Sequence, residues 1–143
     1  MAKSAIVIPE RLRALLSTAS DDGYPVIAAS VDPDGQPELA YYGSIQPFEA
    51  GTLVLWARQP AHIADRLGAH PKLSFMYRNR AERVSARLYG TAHVVDEPER
   101  RDAIFAAAPQ GEQDKDPGRE GVAIEVELTR ITGAIQGEPF TVS

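Results

Sequence analysis

Short runs of strand-forming residues, separated by turn-forming residues, fill most of this 143-residue sequence. One of them, residues 26–31, is a nearly continuous apolar run, and Asp32-Pro33-Asp34-Gly35 follows it directly. Proline and Asp-Gly at these positions predict a tight hairpin that leads into a second extended stretch, residues 37–44. Further strands are predicted at residues 52–58, 73–78, 83–95, 122–128 and 131–135.

Three helices are predicted before and between these strands. Pro9 suits a first helical turn, and leucines then recur at helical spacing up to a cluster of turn formers. A short second helix begins at Pro60 and ends before Pro71, and a third begins at Pro98. Because strands dominate, the pattern predicts one mostly β domain over residues 1–143, predominantly antiparallel, whose sheet closes into a barrel.

Two segments near the end of the chain carry separate expectations. Residues 109–120 hold glycine, proline and charges of both signs, which predicts a mobile surface loop without apolar anchors. Residues 122–128 alternate large apolar residues with alanine and glutamate, which is typical of a strand that is buried on one face.

The composition argues against several classes of function. The chain has no cysteine, which excludes disulfides, thiolate catalysis and cysteine-ligated metals and fits a reducing compartment. Its net charge of -5 gives no support to nucleic-acid binding. The three histidines lack metal-ligand spacing, and no apolar run approaches the ~20 residues of a transmembrane helix. The apolar run at the start of the sequence is too short for a secretion signal, so we expect a cytoplasmic protein.

The start of the second helix is a candidate phosphate site. A helix N-terminus offers unpaired backbone N–H groups and the positive end of the helix dipole. Arg58 lies just before this helix, while His62 and Arg66 lie four residues apart on it and therefore on one face. The alternative is a solvated surface helix, because the sequence has no glycine-rich phosphate loop.

The predicted strand at residues 83–95 collects positive charge on one face. Four arginines fall within ten residues here, although the chain is acidic overall. This face could pair with anions, form a polar surface between subunits, or be an exposed hairpin with solvated charges. The residues concerned are Arg83, Ser85, Arg87 and Tyr89, with Arg78 and Arg80 upstream.

Aromatic residues offer a third candidate. Trp56, Tyr41 and Tyr42 could form a wall for a planar ligand. The alternative is that they belong to the core, as most aromatic residues of a small barrel do.

Four segments in this order and spacing are similar to the pyridoxamine 5′-phosphate oxidase-like family of FMN-binding split barrels. The similarity covers roughly residues 9 to 130. It implies a split β-barrel of the FMN-binding type, with short helices, and a homodimer with two FMN sites at the subunit interface. The segments are Ala28-Ala29-Ser30-Val31-Asp32-Pro33-Asp34-Gly35-Gln36-Pro37, Gly51-Thr52-Leu53-Val54-Leu55-Trp56-Ala57, Ile63-Ala64-Asp65-Arg66-Leu67-Gly68-Ala69-His70-Pro71-Lys72-Leu73-Ser74 and Arg87-Leu88-Tyr89-Gly90-Thr91-Ala92.

The resemblance also implies how the flavin phosphate is held. In the family, four residues hold the phosphate. One is a polar residue that closes the third strand, and the others are a serine, an arginine and a lysine at the start of the short helix. Among the matching positions, His62 keeps a possible cationic contact, and Arg58 and Arg66 could substitute from neighbouring positions. The matching positions are Ala57, Ala61, His62 and Ile63.

Around the flavin ring, the resemblance places Trp56 or Tyr42 at the border. The family often presents a glutamine and an arginine of the partner subunit's fifth strand, and Ser85 and Arg87 occupy those positions. No catalytic acid or base is identified, and in this family the flavin itself often carries the chemistry.

The resemblance thus favours a flavin-dependent oxidoreductase that uses FMN and acts on a small molecule, with the substrate and the electron donor unassigned. One alternative is a deazaflavin-dependent reductase. Another is a non-enzymatic protein that holds haem, a flavin or another ligand in the same cleft. A true pyridoxamine phosphate oxidase is not expected, because the phosphate-site positions differ and the chain is short for that role.

Overall fold

The computed structural model describes residues 6–143, which form an eight-stranded sheet and four helices. Helix α1 (Glu10–Ser17) precedes a hairpin of strands β1 (Val26–Val31) and β2 (Pro37–Tyr42). The elements that follow are β3 (Gln46–Pro47), β4 (Thr52–Ala57), α2 (His62–Arg66), β5 (Lys72–Asn79), β6 (Val84–Val95), α3 (Pro98–Ala107), α4 (Gln110–Gln113), β7 (Val122–Ile135) and β8 (Glu138–Val142).

The strands follow the order β2-β1-β5-β6-β7-β4-β3, and β8 pairs with β7. Every pairing between the described strands is antiparallel. The sheet curls into a half-barrel, which confirms the predicted mostly β, predominantly antiparallel fold. No helix of residues 6–143 is long and apolar enough to cross a membrane.

The β1–β2 hairpin forms where the sequence predicts it. The Asp32 Oδ1 atom accepts hydrogen bonds from the backbone N–H groups of Asp34 at 3.1 Å and Gln36 at 3.0 Å. Gly35 takes a φ of +89°, a left-handed conformation that glycine adopts without steric cost. The turn sets the register, so that Ser30 lies opposite Glu38.

The main core lies inside the half-barrel. Along β1 every second side chain is buried, beginning with Val26, and the others are half-exposed on the outer side. Leu12 and Leu16 of α1 are fully buried against this core. Burial of each contributes about 1.5–3 kcal/mol relative to leaving it exposed, so the helical leucines fix α1 on the barrel.

A second, smaller core lies between helix α3 and the other side of the sheet. Ile104 and Phe105 of α3 pack on Trp56 of β4 and Ala123 of β7. The expectation that only one face of residues 122–128 is buried is therefore wrong, because α3 covers the second face. The two strands predicted at residues 122–128 and 131–135 are also one continuous strand, β7.

Arg100 binds α3 to β7 through a paired contact. Its Nε and Nη2 atoms each donate to the Glu125 carboxylate at 2.6 Å, and Glu125 is 5% exposed. The hydrogen bonds to Glu125 raise the pKa of Arg100 above its ordinary value, although burial opposes this. A charged carboxylate is therefore tolerated inside the second core because it is paired and bidentate.

Residues 109–120 are more ordered than the predicted loop. They contain helix α4, and Asp116 is 8% exposed. Its Oδ2 atom accepts hydrogen bonds from Trp56 Nε1 and from the Gly121 N–H, both at 2.8 Å, and Oδ1 accepts one from the Glu120 N–H at 3.0 Å. The predicted mobile loop is therefore wrong, because the segment is anchored by a buried carboxylate and not by apolar side chains.

The Asp116 anchor should make folding sensitive to acid. Burial opposes the charged form, but the hydrogen bonds from Glu120, Trp56 and Gly121, with the nearby Arg101 charge, lower the pKa of Asp116 below its ordinary value. Because the pKa of Asp116 is lower in the folded state than in the unfolded state, its charge contributes to the free energy of unfolding above about pH 3.9. This contribution is lost as the pH falls through the pKa of Asp116 in the folded state.

Asp116→Asn should reduce the free energy of unfolding by about 1–3 kcal/mol at pH 7, because an amide cannot accept all three hydrogen bonds. Urea unfolding of the wild type and the variant at pH 7 and at about pH 3 measures this. The difference between the two proteins should shrink at the lower pH. A difference that stays constant would show that the charge of Asp116 does not matter.

Candidate functional site

A cleft of about 190 Å³ opens between the β1–β2 hairpin and helix α2. We call it the α2 cleft. Two strands and one helix each contribute to it, so its shape depends on the sheet register and on the docking of α2 against β1. The polar residues and tyrosine that line it are Ser30, Glu38, Tyr42, His62 and Arg66.

Alternation along the strands and the helical repeat bring these side chains together. Ser30 lies on the inner side of β1, and its cross-strand partner Glu38 shares that side, because opposite residues of an antiparallel pair project together. Tyr42 lies four residues further along β2, on the same side. His62 and Arg66 are one helical turn apart, and both face the cleft, as the sequence predicted.

Arg66 is the main cationic group of the α2 cleft. Its Nη1 atom donates a hydrogen bond to Ser30 Oγ at 2.9 Å, and Ser30 is 3% exposed. Within residues 6–143, Arg66 forms no ion pair with a carboxylate. The neutral serine hydroxyl orients the guanidinium but leaves its charge unbalanced, which favours an anion at its remaining N–H donors.

The tyrosine of the cleft keeps its proton at neutral pH. Burial raises the pKa of Tyr42 above its ordinary value, and the nearby Arg66 charge partly opposes this. A phenol in this state can donate a hydrogen bond to an anion. The exposed carboxylate of Glu38 faces the same cleft and acts against anion binding.

Three of the residues predicted to contact a cofactor lie in the cores instead. Ala57 and Ile63 are each 2% exposed in the main core, so their side chains cannot reach a ligand. Trp56 was expected at the border of a planar ring. It is 3% exposed in the second core, where it packs edge-on against Phe105 at 4.8 Å between ring centroids. Its indole N–H is already bound to Asp116.

The helix N-terminus is also a weaker anion site than predicted. Helix α2 covers five residues, His62–Arg66, and not the whole of residues 60–69. The N–H of Ala61, its N-cap residue, donates to Gln59 Oε1 at 3.0 Å. Arg58 is exposed and does not line the cleft. The side chains of this region that line the cleft and could contact an anion are therefore those of His62 and Arg66 on α2.

A second depression, the outer groove, lies on the outer side of the same sheet. It has a volume of about 230 Å³ and crosses β1, β2, β5 and β6. Leu39 is 73% exposed and Met76 is 51% exposed here, and the neighbouring Tyr41 is 68% exposed. Side chains that line it include Ile27, Ala29, Leu39, Met76, Arg87 and Tyr89.

Ser85 and Arg87 are exposed on this outer side of β6, while Val84, Ala86 and Leu88 are buried. The predicted alternation is thus confirmed. Within one chain, these two residues lie on the opposite side of the sheet from the α2 cleft, so the chain does not bring them to Arg66. Ser30 and Glu38 were missed by sequence reasoning. The signal for Ser30 was a polar residue at a buried position of an apolar strand.

Comparison with known proteins identifies one family. The family model described as pyridoxamine 5′-phosphate oxidase matches residues 3–133, which agrees with the resemblance found in the sequence. Among curated proteins, none matches the sequence significantly.

Solved structures share the split-barrel fold at low sequence identity, and at this identity the likeness concerns the fold. HupZ of Group A Streptococcus is 18% identical, with a TM-score of 0.69 over 93% of this chain and 98% of that one. A protein of Clostridium acetobutylicum related to general stress protein 26 is 12% identical, with a TM-score of 0.68 over 94% and 95%. An FMN-binding protein of Syntrophomonas wolfei is 14% identical, with a TM-score of 0.66 over 87% and 86%.

Proposed function

Because the chain belongs to the pyridoxamine 5′-phosphate oxidase family, we propose that it is an FMN-binding flavoprotein that works as a homodimer and as a flavin-dependent oxidoreductase. One observation carries the proposal. Arg66, oriented by the buried Ser30, faces the α2 cleft with no carboxylate partner among the described residues. It is available to bind the phosphate of a flavin nucleotide.

The donors of the cleft fit a phosphate group. Arg66 supplies a permanent charge and a fork of N–H donors, while His62 and Tyr42 add further donors on the same side. The negative charge of Glu38 makes the cleft less attractive to an anion, but Glu38 is exposed, so solvent screens its charge. The donor set therefore suits an anion, with Arg66 expected to make the strongest contact.

The size of the cleft indicates which part of FMN it would hold. Its volume of about 190 Å³ is below the ~300–1,000 Å³ of pockets that enclose a whole drug-sized ligand. The cleft suits the phosphate end of the cofactor, and the flavin ring would need surface beyond it. Strand β2 is exposed next to the cleft, so a second protein surface there would complete the site.

A second copy of this chain fits that role. The outer groove exposes Leu39, Tyr41 and Met76 across three paired strands, which is an unusual concentration of large apolar side chains for a free surface. Arg87 lines this groove, and Ser85 lies two residues before it on the same exposed side of β6. The family resemblance implies that in a dimer these two residues reach the partner's flavin, where a single chain cannot place them.

When bound, FMN would supply the electron transfer. The residues of this chain bind and orient it: Arg66 and His62 at the phosphate, Tyr42 nearby, and Ser85 and Arg87 from the second copy. A cytoplasmic location belongs to this proposal and rests on the cysteine-free sequence.

Titration of the purified protein with FMN, followed by quenching of flavin fluorescence, tests the proposal. We expect one FMN per chain. Riboflavin, which has the same ring and no phosphate, should bind at least about tenfold more weakly, because it lacks the charge-assisted contact to Arg66. If FMN does not bind, the flavoprotein proposal is wrong, and a deazaflavin, haem or another ligand would be tested in its place.

A further inference from the structure

A separate polar pocket of about 360 Å³ lies at the turn between β5 and β6. We call it the arginine pocket. Its polar lining consists of Arg78, Asn79, Arg80, Arg83 and Ser85. We propose that the arginine pocket binds a phosphorylated small molecule, at a site distinct from the α2 cleft. This proposal does not depend on the binding of FMN.

The fold brings three guanidinium groups to this pocket from a short stretch of chain. Arg78 and Ser85 are direct cross-strand partners on the outer side of the β5–β6 pair. Arg80 and Arg83 lie in the turn that joins the two strands. Positive charges that line one pocket repel one another, and an anion between them would reduce that repulsion.

No carboxylate in the described part of the chain pairs with these charges. Within residues 6–143, none of the three arginines forms an ion pair or a side-chain hydrogen bond. The turn does contain an acidic residue, Glu82, but its carboxylate pairs with Arg11 of helix α1. Other arginines of the chain, such as Arg100 and Arg119, do have carboxylate partners. The arginine pocket is therefore a concentration of unbalanced positive charge on an acidic protein.

The backbone around the pocket is fixed by contacts that do not use these guanidinium groups. Asn79 is 3% exposed, and its side chain accepts a hydrogen bond from the Glu82 N–H at 3.0 Å. The Gln136 N–H donates to the Arg83 carbonyl oxygen at 2.7 Å and joins the β5–β6 turn to the β7–β8 turn.

Arg83 is positioned by its own backbone and by the second turn. It has a φ of +55°, a left-handed conformation that is unfavourable for arginine and that the surrounding hydrogen bonds maintain. A Cβ atom on Gly137 would lie 3.1 Å from Arg83 Nη2, so the guanidinium lies directly against this glycine. The side chain thus lies at the pocket wall.

Guanidinium groups in this arrangement suit phosphate. Each can donate two parallel hydrogen bonds to phosphate oxygens, and several around one anion neutralise its double charge. The pocket is open and polar, so the remainder of the ligand can extend into solvent.

Isothermal titration with inorganic pyrophosphate tests the proposal. Four proteins are compared: the wild type, Arg78→Gln/Arg80→Gln, Arg66→Ala, and Arg58→Gln/Lys115→Gln. The last variant removes two exposed positive charges that lie outside both sites. We expect Arg78→Gln/Arg80→Gln to weaken pyrophosphate binding at least about tenfold, with a reduced dependence on salt. The Arg58→Gln/Lys115→Gln control should retain wild-type affinity.

Three outcomes would overturn the proposal. Equal affinity in all four proteins would show that the arginines are ordinary surface charges. A loss confined to Arg66→Ala would place pyrophosphate in the α2 cleft. Dissociation of a dimer by Arg78→Gln/Arg80→Gln, with unchanged pyrophosphate affinity, would make these arginines subunit contacts. Unchanged thermal unfolding midpoints would establish that the variants fold. A failure of the FMN proposal can be distinguished from these outcomes, because the wild type would then not bind FMN.

Discussion

Replacement of Arg66 by alanine should weaken FMN binding by roughly tenfold to a hundredfold, because a charge-assisted hydrogen bond to phosphate contributes ~1.5–3 kcal/mol. The remaining affinity should depend less on salt concentration, because one cation has been removed from the site. Riboflavin binding should change little, so the preference for FMN over riboflavin should largely disappear. Fluorescence titrations of both ligands into the wild type and Arg66→Ala measure these changes.

The matched control for this experiment is Arg58→Ala. Arg58 is the same residue type and lies just before helix α2, but it is exposed and does not line the α2 cleft. Its removal should leave FMN affinity unchanged. Ser30→Ala should cause a smaller loss than Arg66→Ala, because it frees the guanidinium without removing it. If Arg66→Ala binds FMN as tightly as the wild type, Arg66 does not contact the phosphate.

The substitution Met76→Asp should convert the expected homodimer into a monomer. A carboxylate placed in the centre of an apolar interface must be desolvated without a partner, so the dimer should dissociate at least about a hundredfold more readily. Leu39→Asp, at the opposite side of the same outer groove, should act in the same way. Sedimentation equilibrium at micromolar concentration distinguishes the two states, and an obligate interface would bury more than ~2,000 Å².

Val7→Asp provides the matched control for the interface. Val7 is a large apolar residue that is 59% exposed, like Met76, but it does not line the outer groove. This variant should remain dimeric. A monomeric wild type would show that the outer groove does not join two copies of the chain. FMN affinity should fall together with dimerisation if Ser85 and Arg87 contribute to the partner's site.

Much of the fold could be predicted from local patterns in the sequence. Residues 26–31 form β1 as expected, and the Asp-Gly turn produces the predicted hairpin. Strands β3 and β8 were not predicted, because β3 covers only two residues and β8 begins with Glu138 and Pro139, which are uncommon in strands. The single strand β7 was divided into two because the polar residues Thr129 and Arg130 interrupt its apolar pattern.

The candidate site was predicted only in part, for a related physical reason. His62 and Arg66 share a helix face, and local spacing is sufficient to find them. Ser30 reaches Arg66 across 36 positions of the chain, through the docking of α2 on β1, which no local pattern reports. Trp56 was misassigned because an aromatic strand residue looks the same whether a ligand or helix α3 covers it.

The position of β4 in the sheet also determines the order in which the molecule can be assembled. Strand β4 pairs with β3 over two residues, and its full-length partner is β7, about seventy residues later in the chain. In a ribosome-bound chain from which residues 122–135 have not yet emerged, one whole edge of β4 would lack hydrogen bonds. The apolar side chains on both faces of β4 would also be only partly covered. Early hairpins such as β1–β2 can form locally, but the half-barrel can be completed only when β7 emerges. Folding of the whole domain is therefore expected to be late and cooperative during synthesis.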